Sequence, residues 1–119
     1  MRDFRELPEW EKAHELTVAV YETTDEFPEK EMLGLTQQIR LASAAVPIKI
    51  AQGCARDDRG EQVNLLEVAA DSAIELEYYL LLSYELDYLN IAEYDRLISA
   101  VVEVKEKLES LIERLKTNS

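Results

Sequence analysis

From Tyr94 to Leu115 the apolar residues fall at Tyr94, Leu97, Val101, Val104, Leu108, Leu111 and Leu115, with spacings that alternate three and four without a miss. Only a helix places residues so spaced on one side, because its turn takes about 3.6 residues whereas a strand alternates faces at every residue. The regularity is that of a coiled-coil seam, so this helix must lie along another one. Asn90 stands where its N-cap belongs.

The same period recurs upstream. A first helix begins at Pro8, a residue suited to a first turn, and carries Trp10, Ala13, Leu16, Val20 and Tyr21 before ending ahead of Phe27-Pro28. In a second, Glu29 to Glu31 supply negative charge to the positive end of the helix, and the stripe reads Met32, Leu35, Ile39, Ala42, Val46, Ile50. Pro47 falls inside that stripe, where it removes one hydrogen bond and is expected to bend the helix; Gly53 marks the approach of its end. Arg56 to Gly60 reads as a connection with Asp58 as a cap, and a third helix is expected from Glu61 to Leu89. Four long helices with short connections predict an all-α, up-down-up-down antiparallel four-helix bundle, a single domain over residues 1–119. Three glycines and three prolines are too few for a many-turned β fold.

The third helix carries more apolar surface than a bundle core uses. Leu66, Ala69, Ala73, Leu76, Leu80 and Tyr84 share one face, flanked by Val63, Ala70, Ile74 and Leu81. Val68, Tyr79, Leu82 and Leu86 fall near the opposite side and are the candidate oligomer interface. Within the second helix, Arg40 sits between core positions Ile39 and Ala42 and calls for a carboxylate partner, expected from Glu75 or Glu77.

Charge narrows the partners. The chain holds 25 Asp+Glu against 13 Lys+Arg, a formal net charge of −12, and from Glu61 to Asp95 there is no Lys or Arg at all. Such a field opposes phosphate backbones and anionic lipids, so nucleic acid and membrane are disfavoured as partners unless Arg2, Arg5, Arg56, Arg59 and Arg96 gather in space. No run is long and apolar enough to span a bilayer, and the opening residues lack the apolar stretch of a secretory signal, so a cytoplasmic location is expected.

Chemistry finds little support. A carboxylate bundle holding two metals needs two Glu-x-x-His segments, whereas Glu11-x-x-His14 occurs once and His14 is the sole histidine. Cys54 has no imidazole near it in sequence and reads as a small packed thiol. No phosphate-binding glycine loop occurs. The expectation is a protein with no catalytic, metal or cofactor-binding residues.

The stretch Gln38-Ile39-Arg40-Leu41-Ala42-Ser43-Ala44-Ala45-Val46-Pro47-Ile48-Lys49-Ile50-Ala51-Gln52-Gly53 resembles the central motif of the 23S rRNA intervening sequence protein family, also called the S23 family. Trp10-Glu11-Lys12-Ala13, Tyr21, Phe27-Pro28 and Gly34-Leu35 fit its opening, and Arg56, Ala69, Ser72 and Glu75-Leu76 fit its third helix. Gln38, Arg40, Pro47, Ile50, Ala51, Gly53 and Glu75 are the residues that carry the match. Leu41, Lys49 and Gln52 stand where the family motif has arginine, asparagine and glutamate. The resemblance implies a compact bundle assembled as a homopentamer, with no enzymatic activity attached. It leaves two readings of function: an assembly protein that meets itself and a protein partner, or a nucleic-acid-binding accessory of ribosomal RNA or reverse transcription.

Overall fold

The computed structural model describes residues 3–117. A short 3-10 turn at Phe4–Glu6 leads into α1 (Pro8–Thr24), and a second at Glu29–Glu31 precedes α2 (Leu35–Cys54). Helices α3 (Arg59–Glu85) and α4 (Ile91–Thr117) complete the chain. Each helix packs on its neighbours in sequence and α1 closes against α4, giving an up-down-up-down four-helix bundle with principal extents of 46 × 23 × 20 Å. The expected fold is the observed one.

The core runs the length of the bundle. Leu16 and Val20 of α1, Ile39, Val46 and Ile50 of α2, Leu76 and Leu80 of α3, and Leu97, Val101 and Leu108 of α4 are all fully buried or nearly so. Every one lies on the stripe its helix shows in sequence. Caps fix the ends. Asp58 accepts from the Glu61 N–H at 2.9 Å, and Asn90 with Glu93 forms a reciprocal capping box at 2.8 and 3.0 Å.

Pro47 sits inside one unbroken α2, buried. Having no N–H, it cannot bond the carbonyl of Ser43 four residues back. That carbonyl instead accepts the hydroxyl of Thr17 from α1, at 2.9 Å. The gap that a proline leaves in one helix is thus filled by its neighbour.

Two boundaries differ from expectation. Glu29–Glu31 is not the first turn of α2 but a separate 3-10 turn, because Gly34 takes φ −113°, ψ −114° and breaks the path between them. Glu31 still serves that helix end, since its Oε1 accepts from the Leu35 N–H at 3.2 Å. Met32 consequently leaves the stripe and is exposed, as is Leu33. Helix α3 ends at Glu85 rather than Leu89, because Asp87 adopts φ 65° and turns the chain. The Tyr88 N–H then bonds back to the Ser83 carbonyl at 2.9 Å, the closing bond of a Schellman-type end.

Candidate interaction surface

On α3 the face toward the core holds Leu66, Ala69, Ala73, Leu76 and Leu80, all buried. Glu77 marks the seam with α4, where its carboxylate meets Lys105 Nζ at 2.8 Å. Gly53 marks the seam with α2. A side-chain carbon there would stand 3.5–3.8 Å from Gln62 and Leu65–Leu66 of α3, so the two helices lie in van der Waals contact at this point.

Beyond the two seams α3 turns outward and remains apolar. At about 100° per residue, Ile74, Tyr78 and Leu81 flank the α4 side, and Val68 and Leu86 flank the α2 side. All five are exposed, Ile74 by 54% and Tyr78 by 59%. Between the flanks runs an acidic ridge that includes Asp71 and Glu75, both exposed. Leu41 and Ile48 on the outer side of α2, and Val102 on α4, extend the apolar surface past α3.

The four residues proposed from sequence therefore divide. Val68 and Leu86 stand free, while Tyr79 and Leu82 are half-buried and pack against the core. Ile74 and Leu81, expected to flank the core, are instead among the exposed set. The wheel for α3 could not show this, because how far the core extends around a helix depends on where its neighbours sit. Tyr78 was missed altogether; the signal available was its spacing of four from Ile74.

Arg40 corrects a second expectation. It does not reach α3. Its guanidinium lies over the Tyr21 ring at 4.8 Å, and it donates to Thr24 Oγ1 at 2.8 Å and to the Tyr21 carbonyl and Asp25 Oδ1 at 3.2 Å each. Position 40 faces α1, whose last carbonyls carry the negative end of the helix dipole and draw a cation. Glu77 is taken by Lys105, and Glu75 points to solvent. The other motif residues build the bundle too: Pro47, Ile50 and Gly53 are buried, Ala51 is half-buried and Gln38 is exposed.

The scattered arginines divide between the two ends of the bundle. Arg96 lies beside Thr23, at 3.4 Å, and Arg59 lies at the other end, donating to the Leu115 carbonyl at 3.4 Å. Arg5 is bound to Asp3, Arg114 to Glu9, and Lys116 is paired with Glu67. Arg2 lies outside the described residues. His14 stacks flat on Trp10, with centroids 4.8 Å apart. Among the described residues no group of three or more His, Cys, Asp or Glu is placed to hold a metal ion. No helix among the described residues is long and apolar enough to cross a membrane.

Fold and surface together define an acidic antiparallel four-helix bundle whose third helix is apolar inside and out. The chain belongs to the 23S rRNA-intervening sequence protein family, whose sequence profile matches residues 5–110. Its fold is similar to the crystal structure of a protein of unknown function from the S23 ribosomal protein family of Bacteroides thetaiotaomicron. That likeness has a TM-score of 0.82 at 22% identity, covering 88% of this chain and 95% of the other. No curated protein matched the chain significantly.

Proposed function

We propose that this protein is a non-catalytic assembly protein that associates with copies of itself through the outer side of α3 and offers the assembled surface to a protein partner. The observation that carries the reading is the run of large exposed apolar groups on that one helix: Val68, Ile74, Tyr78, Leu81 and Leu86. They are between 39% and 59% exposed, so covering what remains open is worth roughly 0.7–1.5 kcal/mol for each. A cyclic assembly repeats the gain at every contact, and five subunits is the number the family resemblance implies.

The acidic ridge between the two flanks opposes association, so self-association should tighten as salt rises and screens the repulsion. Light scattering across a salt series tests this. The expected result is a multiple of the 13.7 kDa chain mass. Ile74→Glu and Val68→Glu, on opposite flanks, should each weaken the assembly without loss of helical signal. A wild-type monomer at tens of micromolar would overturn the proposal. If neither variant has an effect, the contact lies elsewhere on the bundle.

The nucleic-acid reading rests on the family's name. Against it, the cations at one end of the bundle are largely engaged: Arg5, Arg114 and Lys116 with carboxylates and Arg59 with a backbone carbonyl.

A further inference from the structure

We infer that the end of the bundle where α2 passes into α3 holds a binding pocket for a straight-chain monocarboxylate of medium length. The cavity there has a volume of about 300 Å³. That is at the lower bound of ordinary small-molecule pockets, which combine apolar walls with a few polar groups at the mouth. Its walls are Leu7, Ile50, Leu66, Leu111 and Leu115. Ile50 and Leu66 are buried and belong to the core, so the pocket opens directly onto the bundle interior. Three helices and the lead-in to α1 each contribute a wall, so it exists only in the folded chain.

The rim is polar: Arg56, Asp57 and Gln62 line the same cavity. Gln62 Nε2 donates to the Arg56 carbonyl at 2.7 Å, which pins the backbone at the mouth. Of the cations at this end, Arg5 and Arg114 have carboxylate partners and Arg59 a carbonyl. Among the described residues, Arg56 has no ion pair. A guanidinium presents a planar fork of N–H donors that matches a carboxylate in two parallel bonds. Arg56 lines the mouth and is exposed, so its side chain is within reach of a head group held there. An apolar well so placed fits a chain with one anionic head, whose alkyl part enters between Leu111, Leu115 and Leu66 while the head stays at the rim. Asp57 beside it disfavours ligands with a second negative charge. The pocket lies at the end of the bundle and α3's exposed surface along its side, so this assignment is independent of self-association.

Calorimetric titration of the full chain with octanoate, decanoate and dodecanoate tests it. One saturable site is expected. Each added methylene should tighten binding by up to about fourfold until the well is filled. Arg56→Glu should weaken decanoate at least tenfold, and Asp57→Asn should strengthen it. Leu111→Trp, which fills the well from its edge, should abolish binding with the helical signal unchanged. Cys54 lines the pocket and supplies a second readout: bound decanoate should slow its alkylation in the wild type and not in Leu111→Trp. The assignment is overturned if no saturable binding occurs below about 1 mM, an affinity near −4 kcal/mol. It is also overturned if Arg56→Glu leaves the affinity unchanged, or if decylamine binds more tightly than decanoate, which would make Asp57 the head-group contact.

Discussion

Thr17 and Asp87 carry structural duties that their side chains alone do not announce. Thr17 supplies the hydrogen bond that Pro47 denies to the buried Ser43 carbonyl. Thr17→Val keeps the shape and strands that carbonyl, and should cost about 1–3 kcal/mol in denaturant unfolding. With Pro47→Ala in place, the backbone N–H at 47 returns to the carbonyl, so the same Thr17→Val should cost clearly less. Equal costs in the two backgrounds would show that Thr17 acts through something other than the proline gap. Asp87 holds φ 65°, a region that glycine enters freely and residues with a Cβ enter at a cost. Asp87→Gly should therefore stabilise, and Asp87→Ala destabilise, each by about 0.5–1 kcal/mol with the denaturant slope unchanged. An inverted order would mean that the aspartate side chain is supporting the turn.

Helix junctions add a pH dependence. Glu31 accepts hydrogen bonds from Tyr88 Oη at 2.8 Å and from the Leu35 N–H at 3.2 Å, tying the α1–α2 connection to the α3–α4 connection and to the start of α2. The Tyr88 hydroxyl and then the Leu35 N–H hold the carboxyl below its ordinary 4.5, and the same contact raises Tyr88 above its ordinary 10.0. A carboxyl depressed on folding stabilises above its unfolded value and loses that effect as pH falls through the folded one. A tyrosine raised on folding stabilises below its unfolded value and loses the effect as pH climbs through the folded one. The tie is thus complete between about pH 5 and pH 9. Tyr88→Phe should lower stability across that window and flatten the acid limb; an unchanged acid limb would place its origin in other carboxylates. None of this was legible in sequence, because Glu31 and Tyr88 lie 57 residues apart, the one read as helix-end charge and the other falling unremarked inside the expected third helix. Periodicity did reveal the four stripes, the Asp58 and Asn90 caps and the exposure of Val68 and Leu86, all of them local properties. Ile74, Leu81 and Arg40 were misplaced for one shared reason: each lies at the margin of its stripe, where the position of a neighbouring helix decides what it meets.

At the scale of the molecule, charge and topology act together. Where α1 ends and α4 begins, Glu22, Asp25, Glu26 and Glu93 line one shallow depression together with Arg96. A net charge of −12 repels phosphate at long range, and tight RNA binding needs several clustered cations whose counterions are released. Filter binding with 23S rRNA fragments in about 150 mM salt, where the Debye length is near 8 Å, should show no sub-micromolar complex. Salt-sensitive binding at that level would contradict this account of the surface. Topology has a different consequence. Three of the four seams join helices adjacent in the chain, and the fourth, α1 on α4, is the least extensive. Polar ties such as Arg114–Glu9, Lys12–Glu103 and Arg96–Thr23 stitch it along the outside. Parting this seam leaves the α2–α3 hairpin whole, so it is the cheapest way for the bundle to open short of unfolding. In deuterated buffer the amides of α1 should exchange ahead of those at the centres of α2 and α3, making the first helix a hinged door on an otherwise closed barrel.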